Sequence, residues 1–270
     1  MADVFLFVRH GWKSIWKQKT IWLFSVLPFL NLVFIDFQVG RDADLLPQLI
    51  ASIFGFFLSI LYFVSIIGVP YLAYRFLIGE SATIQETLSA VKKFFGRALG
   101  CTCLGVLVLS PIFLWVLATS IDRSIRGLEY SDYINLVFLP LSIFSSLWTF
   151  TFAAFFENDW GIRKSLDKAW KLFKSHFSVL AVLGLMLEII FYAFSILSDI
   201  LTVLIQSGFD ITTINNFNIF NPTALLNKNL LFVLINGIGQ IIFTPLRASI
   251  YVSAYLKYSN VKLPFLIRVR

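Results

Sequence analysis

From Leu49 to Ile78 the chain runs thirty positions with one charge, Arg75, close to the end. A helix needs about twenty apolar residues to cross roughly 30 Å of hydrocarbon. This run exceeds that, so it is expected to tilt, kink or protrude, with Pro70 as the kink. Five further apolar runs, at about 20–36, 98–119, 133–156, 177–206 and 230–255, alternate with short charged stretches. The expected fold class is all-α. It is a polytopic membrane protein whose six transmembrane helices form three hairpins, in a single integral membrane domain over 1–270. Composition agrees: 58% of residues are hydrophobic and 14% charged, against about 45–50% and 25% in soluble domains. The excess apolar content belongs to lipid-facing surface, and no soluble enzyme domain is expected beside it.

The charged stretches carry a second pattern. After Asn158, residues Ile162, Leu166, Ala169, Trp170, Phe173 and Phe177 recur at three- and four-residue steps. Arg163, Lys164, Lys168, Lys171 and Lys174 fill the other face. A basic amphipathic helix of this kind lies in the headgroup layer. The spacing predicts such interfacial helices at about 160–175, 84–96 and 3–18, the last with Phe5, Val8, Trp12, Ile15 and Trp16 as its apolar face. Thr83-Ile84-Gln85-Glu86 reads as a capping box opening the middle one.

Of the 22 Lys and Arg residues, 18 fall in Arg9–Lys19, Arg75–Arg97, Arg163–Lys174 and Arg247–Arg270. The other side of the expected topology holds Arg41, Arg123, Arg126 and Lys228. Positive residues stay inside, so both termini are expected in the cytoplasm, at the cytoplasmic (inner) membrane. Residues 38–47, 121–131 and 207–228 are expected outside. Pro222 occupies the middle of Asn221-Pro222-Thr223 and removes the only candidate sequon there. No small-residue cleavage site follows Ile35, so the first span is expected to be an uncleaved anchor. The net charge of +7 is thus a membrane-surface signal. The expected partners are the bilayer and anionic lipid headgroups, at about 1 kcal/mol per basic residue, with a membrane-protein partner or a second copy of the chain also compatible. Nucleic acid is not expected.

Shifted by 78 positions, Ile84 falls on Ile162, Leu88 on Leu166, Lys93 on Lys171 and Phe95 on Phe173. Trp12-Lys13 is a fainter copy of Trp170-Lys171. Three units of amphipathic helix plus hairpin account for the chain. Phe156-Glu157-Asn158-Asp159, followed by Ile162, Ser165, Leu166, Ala169-Trp170-Lys171-Leu172 and Phe177, resembles the glycerophosphoryl diester phosphodiesterase membrane domain family and related bacterial six-span membrane proteins. The likeness covers most of the chain in layout and about thirty residues in pattern. It implies a membrane domain and transfers no catalytic residue.

Charges inside spans are costly and point to function or to pairing. Glu188 lies about eleven residues into the fifth run, roughly 16 Å deep at 1.5 Å per residue. Arg247 lies at similar depth on the antiparallel sixth, so a buried ion pair between them is expected. Polar residues continue the stripes: Tyr192, Ser195 and Asp199 with Glu188, then Asn236, Gln240, Thr244 and Tyr251 with Arg247. Ser142, Ser145, Ser146 and Thr149 add a third stripe. These stripes fit helix–helix contacts around a buried pair. They also fit a solute or proton path, and the prolines in five of the six runs fit the kinked spans of transporters as well as ordinary bundles. Catalysis lacks a nucleophile or metal constellation. Cys101, Cys103, His10 and His176 are isolated, and no cofactor is implied. The sequence therefore suggests a non-catalytic membrane protein organising lipids or partner proteins, or else a small-solute transporter or permease.

Overall fold

The computed structural model describes residues 2–38, 45–126, 131–206 and 230–261, and every element among them is a helix. In chain order these are α1 (Ala2–Lys17), α2 (Thr20–Gln38), α3 (Leu45–Leu77), α4 (Ile84–Arg126), α5 (Ser131–Asn158), α6 (Ile162–Ser175), α7 (Phe177–Gln206) and α8 (Leu230–Tyr258). Each of the six apolar runs falls within one helix. Of the expected external stretches, 207–228 lies outside the described residues, as do 39–44 and 127–130; the described part of 121–131 is helical instead of loop, with α4 running on to Arg126 and α5 beginning at Ser131.

One element differs from the sequence reading. The amphipathic segment at 84–96 is not separate from the third run; both belong to α4, 43 residues long, which at 1.5 Å per residue is about 65 Å. Gly96-Arg97 carries no proline and no left-handed residue to stop the helix. The first and third units do break, between Lys17 and Thr20 and at His176, the C-cap of α6.

Helix ends follow local chemistry. The capping box is formed: the Thr83 N–H donates to Glu86 Oε2 at 2.8 Å, and the Glu86 N–H donates to Thr83 Oγ1 at 3.2 Å. The Thr83 N–H and hydroxyl, both donating to Glu86 Oε2, hold the Glu86 carboxyl below the usual glutamate range. α3 ends at Gly79, whose φ of 91° suits glycine. There the Glu80 N–H donates to the Arg75 carbonyl and the Gly79 N–H to that of Phe76, a Schellman ending. α8 ends the same way at Asn260, φ 58°, with Val261 packed on the core.

The last half of α8 is the central column. Ser249 to Leu256 are all buried, and α1, α2, α3, α5 and α7 pack around them. A helix buried on every side belongs in the middle of a bundle. Small residues let α1 approach it closely. A Cβ at Gly11 would meet Ile250 Cγ1 at 2.5 Å, Ser249 Oγ donates to Ser14 Oγ at 3.5 Å, and His10 Nδ1 lies 3.1 Å from Ser253 Oγ.

α1 and α6 are thus packed on protein as well as amphipathic, which changes the expected faces. On α1 the buried line is Val4, Phe7 and Ile15, while Phe5, Trp12 and Trp16 are exposed. On α6 it is Ser165, Ala169 and Phe173, while Leu166 and Trp170 are exposed, as is Phe177 just beyond. Each helix carries two apolar lines, and the bundle takes only one of them.

Among the described residues, two helices are long and apolar enough to cross a membrane, over Ser52–Leu77 and Phe177–Thr202, each with mean hydropathy 2.3. Only 28% and 24% of their most apolar windows are buried inside the protein. Ile53, Phe54, Phe56 and Phe57 on α3 and Val182, Leu185, Ile189 and Ile190 on α7 point outward.

Candidate functional site

α3, α4, α5, α7 and α8 enclose a cleft of about 580 Å³, within the size range of small-molecule sites. α7 brings Glu188 and α8 brings Arg247 to it, and Arg247 Nη2 donates to Glu188 Oε1 at 2.6 Å. The sequence placed these two at one depth on antiparallel helices, and that is how they meet. Burial is partial: 17% of the Glu188 side chain and 33% of Arg247 stay accessible, and the open side is the cleft. Phe191 lies under the guanidinium, its ring centroid 5.9 Å from Cζ.

The polar stripes separate on inspection. Gln240 and Thr244 of α8 and Ser145 and Thr149 of α5 line the cleft. Tyr192 does not; its side chain is exposed on the outside of α7. Four residues beyond Glu188 on a helix is 400°, and that extra rotation carries Tyr192 off the inward face. The side chains of Ser195, Asp199, Asn236 and Ser142 lie outside the described residues. Sequence reasoning missed the contribution of the other wall, where α3 supplies Tyr62 and Ser65 and α4 supplies Thr102. The signal was a hydroxyl on each turn of the second run, Ser59, Tyr62 and Ser65.

The second feature is the end where α1, α4, α6 and the C-terminus of α8 gather. Gln18 Nε2 donates to the Ala82 carbonyl at 3.2 Å, joining the α1–α2 turn to the α3–α4 loop. Lys257 donates to Asp3. The His176 and Tyr258 rings stack at 3.7 Å. The α5–α6 turn is pinned twice. Asp159, in the left-handed region at φ 53° where Asp and Asn are the tolerated side chains, accepts from Arg97 at 2.6 Å and Lys93 at 2.8 Å. Those two cations hold the Asp159 carboxyl below the usual aspartate range. Two residues before Asp159, Glu157 accepts from Lys168 at 2.6 Å and from the hydroxyl of Tyr255.

That lock separates Lys168 from the other basic residues of α6. Its ammonium is engaged with Glu157 and lies near the Trp160 and Tyr255 rings, at 5.1 and 5.4 Å. Its side chain is 22% exposed. Arg163, Lys164, Lys171 and Lys174 are exposed, with Lys171 bridged to Asp167 on the next turn. A shallow groove of about 340 Å³ between Trp160, Lys164, Lys168 and Lys171 runs along this face.

Among the described residues no three His, Cys, Asp or Glu side chains stand close enough to share a metal ion. No protein-family profile matches the chain, and neither a curated protein nor a solved structure matches it significantly.

Proposed function

We propose that the chain is a non-catalytic integral membrane protein of six spans, both termini cytoplasmic, that organises anionic lipid at its basic end. The observation that carries this reading is the pairing, on three helices, of an exposed apolar line with exposed cations. Phe5, Trp12 and Trp16 neighbour Lys13 and Lys17; Ile84 and Leu88 neighbour Lys92; Leu166 and Trp170 neighbour Lys164, Lys171 and Lys174. Aromatic bodies at the acyl boundary with ammonium groups among the phosphates is the arrangement of an interfacial helix. The apolar outer faces of α3 and α7 support the spans, because a soluble core helix of their hydropathy would be mostly covered. The pattern around Glu157 to Leu172 supports the resemblance to the six-span membrane-domain group, and with it the bacterial cytoplasmic membrane.

The test is a headgroup crosslinking yield in nanodiscs containing phosphatidylglycerol. Replacing Arg163, Lys164, Lys171 and Lys174 with Gln removes up to about 4 kcal/mol of headgroup attraction and should cut the yield severely, with the helix content unchanged. An unchanged yield would mean that these cations are merely solvated. Lys168 is left intact because it holds Glu157.

The cleft favours a second reading beside the first. A cavity of about 580 Å³ edged by an ion pair and several hydroxyls is more than helix contacts require, and it supports a solute-binding site of the kind a small permease uses.

A further inference from the structure

The cleft's polar groups are incompletely satisfied, and the deficit has a definite pattern. Ser65 is 1% exposed, lines the cleft, and its Oγ has no hydrogen-bond partner among the described residues. Hydroxyls elsewhere in these helices fold back on their own backbone: Thr102 donates to the Ala98 carbonyl and Thr149 to that of Ser145. Ser65 does not. One residue on, the Ile66 carbonyl lacks its ordinary helical donor, because the position four residues later is Pro70, which has no N–H. A buried hydroxyl left unpaired is costly, so such groups ordinarily meet a partner when the site is filled.

The ion pair on the facing wall is engaged by one prong. One guanidinium nitrogen of Arg247 meets one oxygen of Glu188. Glu188 Oε2 and the remaining guanidinium N–H groups have no partner among the described residues, although an Arg–carboxylate pair is readily bidentate. Both charges face the cleft, where their compensation is mutual. A ligand with a single charge would strip one of them of its partner, at the high cost of an uncompensated charge in a low-dielectric site. A ligand carrying both charges pays no such penalty. Its anion takes the free guanidinium N–H groups, its ammonium takes Oε2, and the site stays neutral throughout. Trp148, Phe152, Phe191 and Phe243 give the wall an aromatic, apolar portion, which suits an uncharged body attached to those two groups.

From this geometry we infer that the cleft binds a small zwitterion, an ammonium and an anionic group joined by a short linker and carrying an apolar body. The inference rests on reading the cleft as a solute site and names the solute's class. Arg247 takes the anion, Glu188 the ammonium, and Ser65 with the Ile66 carbonyl supplies hydrogen bonds from the opposite wall. The same chemistry occurs in a free amino acid and in an ethanolamine phospholipid headgroup.

The test uses the full chain in phosphatidylglycerol nanodiscs, with tryptophan fluorescence, to which Trp148 reports from the cleft wall. Four probes are titrated: L-phenylalanine, which has both charges; 2-phenylethylamine, which has the ammonium only; 3-phenylpropionate, which has the carboxylate only; and glycerophosphoethanolamine. The inference expects saturable binding of L-phenylalanine or glycerophosphoethanolamine at least tenfold tighter than either single-charge analogue. Which of the two zwitterions binds tells a free solute from a headgroup. Glu188→Gln should weaken that binding at least tenfold. Because that variant disturbs the ion pair, Ser65→Ala is the second arm. It removes a hydroxyl with no partner among the described residues, should leave thermal stability intact, and should weaken zwitterion binding several-fold. Equal or tighter binding of a single-charge analogue overturns the zwitterion and leaves the solute site standing. Full zwitterion affinity in both variants overturns the assignment of these residues. No saturable response to any probe overturns the solute site itself.

Discussion

Lys168→Met tests the junction between α5, α6 and α8. Lys168 and Glu157 are 22% and 18% exposed and in contact at 2.6 Å, and the Tyr255 hydroxyl donates to the same oxygen of Glu157. Exposed ion pairs contribute about 0–1 kcal/mol, and breaking a buried pair by removing one partner costs about 3–5 kcal/mol. A pair four-fifths buried, whose surviving carboxylate keeps one hydroxyl donor, falls between, at about 2–3 kcal/mol. For a chain of this size that is roughly a 5–10 °C fall in the apparent melting temperature in detergent. Glu157→Gln should cost less, because the amide oxygen still accepts from Lys168 and Tyr255. The double variant Glu157→Gln, Lys168→Met should be more stable than the sum of the singles implies, because no charge is left unpaired. Tyr255→Phe removes one hydrogen bond to a charged group, about 1.5 kcal/mol. If Lys168→Met melts within a degree of the parent, or the two singles add strictly, the lock does not hold the junction.

Three further outcomes follow from contacts elsewhere. Glu188→Gln and Arg247→Met should each cost about 2–4 kcal/mol, the buried-pair figure discounted for the exposed third of Arg247. Together they should cost less than the sum in a double-mutant cycle of detergent melts, and strict additivity would contradict the pair. Acid should loosen the basic end. The Asp159 pKa is depressed by its hydrogen bonds from Lys93 and Arg97, so its contribution is complete above the ordinary aspartate range and is lost as pH falls through its lowered value. His10 acts in the same direction, since burial first, then Arg9, Lys13 and Lys257, lower its pKa and favour the neutral ring. Protection of the amides at residues 158–161, measured against the intrinsic exchange rate at each pH, should therefore fall in acid in the parent, whereas Asp159→Asn should already show low protection at neutral pH and little further change. Finally, Gly11→Ala should destabilise, because its Cβ meets Ile250 at 2.5 Å, whereas Gly96→Ala, with nothing within 4 Å, should stabilise by up to about 1 kcal/mol in detergent melts.

Much of the helical layout is legible along the chain because helices are announced locally, by an apolar run, by an amphipathic spacing or by a capping box at Thr83. The Glu188–Arg247 contact is legible for a different reason: each is the deepest charge of its run, and the apolar residues around it supply no alternative partner. What local patterns leave open is which apolar line faces protein. α1 offers Val4, Phe7 and Ile15 or Phe5, Trp12 and Trp16, and the larger aromatic line has the stronger hydrophobic signature, yet the bundle takes the slimmer one. The reason lies in α8, whose Ser249 and Ser253 admit only a close neighbour such as Gly11 and Ser14. Lys168 is equally opaque. Nothing within α6 distinguishes it from Lys164 or Lys171; its fate is set outside α6, by Glu157 of α5 and, far along the chain, by Tyr255, which shares that carboxylate. The α3 and α4 walls of the cleft went unread because single hydroxyls in a long apolar run look like ordinary helix packing until five helices bring them together.

The most direct test of the account is the sidedness of two positions. With Cys101 and Cys103 replaced by Ala, single cysteines at Ser131, the start of α5, and Ser175, the end of α6, are treated in intact cells with a membrane-impermeant maleimide, and again after permeabilisation. One span between them, and positive charge retained inside, require Ser131→Cys to react from outside and Ser175→Cys to react only once the membrane is opened. Reaction of both from the same side would contradict the six-span arrangement and remove the basic end from the cytoplasmic leaflet.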